Sequence, residues 1–354
     1  MAKTDIITRF LIWRLRHLST KNFILILSGL IGIIAGLAAV ILKTAVHAIQ
    51  KFLTEDFNEA YANFFYIIYP LVGIALAFLA GTYLLKDQGG HGIPDLLYNI
   101  SRKSSLIAKV KMYSRVITSA ITVGFGGSVG LEAPIVVTGS AIGSNFGNLM
   151  HLNAKKRTLL IGCGAAGAIS AIFGAPIGAV IFAIEVILLE VSVGSFIPLL
   201  IASVAGSITS MLLLGEDVMF TFNLADSFLA AHMPYYFLLA IFTGMISLYF
   251  SRVVLKTEHL LGMMTSPWLK LLYGGAFLGL IVFFFPPIYG EGYDTLNALI
   301  DGDPQRLLAN SPFFAEINNP YFIIVFLMLI IFIKPIASAI TIGAGGSGGL
   351  FAPS

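Results

Sequence analysis

The sequence predicts an all-α polytopic membrane protein built from a duplicated unit whose helices are broken at glycine and proline. Three observations predict it: an apolar composition, apolar stretches of membrane-crossing length, and one irregular segment that occurs twice. Of the 354 residues, 57% are hydrophobic and 11% charged, and the mean hydropathy is +0.91. No water-soluble domain of this size needs such a balance for its core. The stretches 23–42, 64–85, 159–189, 196–214, 235–250 and 321–333 approach or exceed the roughly 20 residues of helix that cross a hydrocarbon core.

The N-terminal flank comes first. An amphipathic basic segment, 10–18, precedes the first apolar stretch, and no small-residue cleavage pattern follows, so 23–42 reads as a retained helix and not a signal peptide. Arg9, Arg14, Arg16 and Lys21 lie before this span, and Arg102, Lys103, Lys109, Lys111 and Arg115 form a second group. The positive-inside bias places the N-terminus in the cytoplasm. A net charge of +3 gathered at membrane edges fits lipid headgroups and gives no ground for a nucleic-acid partner. Cys163 is the single cysteine, so an intrachain disulfide is excluded; within 162–168 it reads as a small packing residue.

The duplication is the main clue. Residues 119–134 read SAITVGFGGSVGLEAP and 338–353 read SAITIGAGGSGGLFAP, identical at twelve of sixteen positions without a gap. The first repeat is placed at 23–214 and the second at 235–354, within a single membrane domain spanning 1–354. Most of the 36 glycines lie inside apolar sequence, where they let helices approach closely or break them. Repeats with Gly/Pro-interrupted helices at matching points mark secondary transporters and related channels, with the binding site where the broken helices meet. The first copy continues into an apolar helix-like stretch, 135–149, whereas the second stops just after Pro353, so the natural protein is expected to continue with further membrane helices.

In each copy the glycines permit tight turns and leave backbone N–H groups uncovered, and the following proline suits the first turn of a new helix. Such a helix start carries about half a positive charge and aims amides at an anion. A third start is Gly89-Gly90-His91-Gly92-Ile93-Pro94, followed by 95–100, too short to cross and therefore read as re-entrant. Glu132 is the leading functional residue, because an ionisable group inside apolar sequence is costly and its counterpart in the second copy is Phe351. Backbone geometry alone thus does not demand the carboxylate. Its functional reading is competition with a permeant anion for the same amides; its structural reading is a carboxylate that complements its own helix start. His91 reads equally as a loop donor or a site residue. Glu185 and Glu190 close an apolar stretch, and Lys334-Pro335 marks a kink or a buried cation.

Taken together, these motifs resemble the CLC chloride channels and chloride/proton exchangers over nearly the whole chain. Gly90-His91-Gly92-Ile93-Pro94 is similar to the family's first anion-binding motif, Gly130-Leu131-Glu132-Ala133-Pro134 to its second and Gly349-Leu350-Phe351-Ala352-Pro353 to its third. Gly174-Ala175-Pro176 before 182–186 fits the same order. The resemblance implies a CLC-type inverted-repeat fold with broken and re-entrant helices, a homodimer with one anion pathway per subunit, and residence in the cell membrane, the inner membrane of a bacterium. It implies a transporter of chloride or a similar small anion and not an enzyme, with protons as a second partner if it exchanges, and with no cofactor or metal. Glu132 becomes the gate; His91, Leu350 and Phe351 become anion-binding; Gly90, Gly92, Ile93, Gly130, Leu131 and Gly349 become backbone of the anion pathway. His91 departs from the serine common at its position. Val186 stands where proton-coupled members commonly carry an inner glutamate, beside a retained Glu185, and a valine relays no proton; channel and exchanger both stay open. The family's tyrosine from the last membrane helix would lie beyond Ser354. A second reading, an intramembrane serine hydrolase, rests on Gly345-Gly346-Ser347-Gly348 with His91 as base; against it, the serine recurs at Ser128 inside a duplicated turn. A nucleotide-binding loop is not found.

Overall fold

The computed structural model describes residues 13–14, 16–54, 62–87, 92–187, 193–215, 229–308, 311, 314 and 319–354. Among these residues the chain is helical, and the one extended pairing is an antiparallel bridge between Gly130 and Gly349.

Helix α1 (Thr20–Thr54) holds no proline or acidic residue to interrupt it, and its 35 residues make about 52 Å of rod, well beyond the roughly 30 Å hydrocarbon core. Proline sets the start of several later helices, where its missing N–H costs nothing: α2 (Tyr69–Leu79), which runs on into a π turn at Ala80–Leu84, and α3 (Ile93–Arg102). Then come α4 (Ser114–Gly124), α5 (Glu132–Leu149) and α6 (Ala154–Phe173), the last capped by Asn153, whose side chain accepts the Lys156 N–H. The apolar stretch 159–189 is therefore not one span. It stops at Gly174, which closes α6 in the left-handed region at φ +65°, and Pro176 opens α7 (Pro176–Phe182), continued by a π turn at Ala183–Ile187. Helices α8 (Val193–Leu214), α9 (Met233–Gly262), α10 (Pro267–Phe284), α11 (Tyr293–Ile300) and α12 (Pro320–Gly343) complete the order.

Among the described residues, six helices are long and apolar enough to cross a membrane: Thr20–Leu53, Ala154–Phe173, Gly194–Leu214, Ala230–Gly262, Pro267–Phe284 and Tyr321–Gly343. The crossing at Pro267–Phe284 is not among the stretches singled out from sequence. Stretch 64–85 yields only the shorter apolar helix Tyr69–Leu84. Large side chains on α9, among them Tyr235, Phe237 and Leu238, stand exposed, an arrangement stable only against lipid or another apolar surface. The chain is a multi-pass membrane protein.

Contacts divide it into two compact units, each assembled from separate segments: 1–44, 90–116 and 134–218 in one, 45–89, 117–133 and 219–354 in the other. In the first, α6 packs against α7 and α8. Its backbones touch: a β-carbon on Gly164 would stand 1.9 Å from the Gly139 carbonyl oxygen, so only glycine admits this crossing. In the second, α9 packs on α12, and α10 on α2 and α12, around Ile74, Leu278, Val282, Ile288 and Ala337.

Candidate functional site

The second unit contains both copies of the duplicated segment. They meet at the bridge, where the Gly130 N–H donates to the Gly349 carbonyl at 2.9 Å and the Gly349 N–H returns a bond to Gly130 at 2.8 Å. Around it the bonds come in matched pairs. The Ser128 N–H donates to Thr341 Oγ1 (3.1 Å) and the Ser347 N–H to Thr122 Oγ1 (3.0 Å), so each copy caps the other. Gly127 and Gly346 each close a turn onto their own threonine's carbonyl, at 2.8 and 2.9 Å. Gly126 and Gly345 supply the positive φ, +91° and +109°, which those turns require. Equal sequence has produced equal local structure, and the two breaks lie face to face. Neither bridging amide is open, contrary to the expectation of uncovered N–H groups at both helix starts, and the next amide of the first copy, that of Leu131, is taken as well.

The copies differ where the sequence differs. Glu132, at the start of α5, is 3% exposed; Phe351, its counterpart, is 57% exposed. The Glu132 carboxylate folds back over the bridge. A β-carbon on Gly130 would lie 2.0 Å from Glu132 Oε2 and 2.7 Å from Ala352 Cβ, so the carboxylate occupies the space that glycine leaves. Tyr293, the first residue of α11, donates its hydroxyl to Glu132 Oε1 at 2.5 Å. Oε2 is buried with no hydrogen-bond partner among the described residues, while the Ala352 amide of the second copy lies beside the carboxylate. Burial first, and then the Glu132 charge, hold the Tyr293 phenol above the usual tyrosine range, so it stays a donor.

A turn between α10 and α11 supports this arrangement, and sequence reasoning missed it. Glu291 accepts the Leu131 N–H on Oε1 at 3.1 Å. Tyr289 donates to the Gly124 carbonyl at 2.6 Å and lays its ring against Gly126, where a β-carbon would meet it at 2.5 Å. Ser128 Oγ donates to the Ile288 carbonyl (2.7 Å), and Lys334 Nζ, from α12, to the carbonyls of Ile288 (3.3 Å) and Gly290 (3.0 Å). Lys334 is thus a tie that fixes the turn. The signal was present in Gly290-Glu291-Gly292-Tyr293, an acid between glycines after an apolar run, the same grammar that marks Glu132.

Glu132, Gly130, Leu131 and Gly349 are accordingly brought together, with Leu350 and Phe351 next in the chain. Gly90 and His91 lie outside the described residues. Gly92, at φ +64°, precedes Ile93 at the start of α3, whose amides have no side-chain cap. Glu185 is exposed on the π turn of the first unit, and Val186 packs part-buried against that unit's apolar core. Ser347 Oγ has no hydrogen-bond partner among the described residues, so no base is seen on it there.

Residues 72–354 match the family described as Voltage gated chloride channel. Chloride channel protein CLC-f of Arabidopsis thaliana is 27% identical over 363 residues, covering 94% of this chain and 43% of its own length. The H(+)/Cl(-) exchange transporter ClcA of Vibrio cholerae is 25% identical over 368 residues, covering 99% of this chain and 73% of its own. Among solved structures, that of a slow cyanobacterial Cl−/H+ antiporter superposes with a TM-score of 0.77 at 20% identity, over 95% of this chain and 76% of that one. A fold shared at that level, a family match over most of the chain and the paired breaks lead to one conclusion: the chain belongs to the voltage gated chloride channel family, the CLC proteins.

Proposed function

We propose that this chain carries chloride or a similar small anion across the membrane along a pathway gated by Glu132. The observation that supports the reading is the Glu132 carboxylate itself: buried, held by Tyr293 on one oxygen and without a hydrogen-bond partner on the other among the described residues, at the seam of two glycine-rich breaks. A carboxylate is an anion on a tether. Seated there, it competes with a mobile anion for backbone donors and repels it through a medium of low dielectric constant. Protonation or displacement of Glu132 frees the place. The amides of Leu350 and Phe351 then bind the anion, and Leu131, Gly130 and Gly349 line its way. Gly90, His91, Gly92 and Ile93 supply a third backbone segment, and His91 tunes anion preference through a donor bulkier than a hydroxyl. Two copies assemble as a homodimer with a pathway in each.

The Vibrio cholerae relative is an exchange transporter and the Arabidopsis relative a chloride channel, and both modes can use such a gate. Val186 carries no proton, which favours passive conduction; proton flux measured beside anion flux decides the mode. The gate has its own test in liposomes holding the complete protein. Because the charged form blocks, wild-type flux rises as pH falls, and Glu132→Gln should hold flux high at alkaline pH with a weakened pH dependence. Flux indifferent to this substitution would overturn the gate.

A further inference from the structure

Leu131 and Leu350 occupy the same place in the two copies, the first residue past the bridging glycine. In the reading above the Leu350 amide meets the anion. Its counterpart in the first copy already has a negative partner, since the Leu131 N–H donates to Glu291 Oε1 at 3.1 Å across 160 residues of sequence. Glu291 therefore stands toward the first break as a permeant anion would stand toward the second. It reaches this place from a turn pinned on both sides, by the positive φ of Gly290 (+63°) and Gly292 (+93°) and by Lys334, which bonds the carbonyls of Ile288 and Gly290.

We infer that Glu291 is a second acidic competitor in the pathway: its charge, and not merely its hydrogen bond to Leu131, sets how readily an anion settles beside Glu132 and adds a proton-dependent step of its own. The charged and titratable groups around it are Glu132 at the start of α5, Tyr293 on α11 and Lys334 on α12. Tyr293 joins the two acids, bonding Glu132 while lying within the field of Glu291. Lys334, tied to the same turn, lies within the field of both. A purely structural acceptor would need no charge, because an amide oxygen takes the Leu131 N–H equally well.

This inference rests on the gated anion pathway, and the test separates the two. In liposomes holding the complete protein, chloride flux is measured against pH and against chloride concentration for Glu132→Gln, Glu291→Gln, Glu291→Asp and the double Gln variant. Glu291→Gln should raise apparent chloride affinity several-fold and remove one proton-dependent step, leaving that of Glu132. Glu132→Gln should keep a residual fall of flux with rising pH, which the double variant abolishes. Glu291→Asp, with charge retained, should keep both steps. A Glu132→Gln protein already flat with pH would overturn the role of Glu291 while leaving the gate intact. So would Glu291→Gln matching wild type in affinity and pH profile, or Gln and Asp variants indistinguishable from one another. Loss of any Glu132→Gln effect would overturn the gate instead.

Discussion

Tyr293 is the one hydroxyl that bonds the Glu132 carboxylate among the described residues, and it sits 161 positions away in sequence. Its donation favours the charged form of the acid, the form proposed to block. Tyr293→Phe keeps the ring and removes the donor, leaving a buried carboxylate oxygen short of a partner at a cost of roughly 1–3 kcal/mol. Protons then neutralise the acid more readily, so the flux–pH curve should move toward higher pH with little change in its maximum; a shift the other way would show that the phenol opposes the charge. Glu132 itself was legible in the sequence because a carboxylate amid apolar residues has few innocent explanations. Glu291 obeys the same chemistry and was overlooked, because it follows Pro286-Pro287 in a turn, where charged residues are ordinary. Only the third dimension supplies the Leu131 amide that gives it meaning.

Among elements, the paired turns depend on two hydroxyls. Thr122 and Thr341 each accept a serine N–H from the opposite copy while donating to a carbonyl one helical turn back, at 2.9 and 2.8 Å. Replacing Thr341 by valine keeps shape and strands the buried Ser128 N–H, for a loss of about 1–3 kcal/mol, whereas valine at Thr122 strands the part-buried Ser347 N–H. Because the Ser128 bond is buried and the Ser347 bond only part-buried, Thr341→Val should lower thermal stability in detergent more than Thr122→Val; the reverse order would mean that burial does not set the cost. Helix existence was readable from apolar length, but helix ends were not always. Gly174 and Pro176 split one long stretch in two, a division the residues spell out once glycine is treated as a stop and proline as a start. The amphiphilic turn between α10 and α11 has no such periodicity, and its ties to Lys334, Ser128 and Leu131 all join residues far apart in sequence.

For the whole molecule, composition alone placed the chain in lipid, and the six long apolar helices among the described residues agree. The protein should stay with the membrane pellet through an alkaline carbonate wash and leave it only in detergent; release by carbonate would contradict the crossings. The duplicated segment made the broken-helix architecture legible, because twelve shared positions in sixteen carried over into shared turns and a mutual bridge. What sequence did not disclose was that the bridging amides satisfy each other. A motif read singly shows open donors, whereas two copies brought together consume some of them.

The reciprocal bonds also order events in time. The Ser128 amide waits for a hydroxyl that lies 213 residues downstream, and the Gly130 amide for a carbonyl on Gly349. During synthesis the early copy therefore enters the bilayer before its final acceptors exist. Until the late copy arrives from the ribosome, water, lipid headgroups or the insertion machinery must keep that segment company, and the seam that houses the acid closes only once both copies have been made.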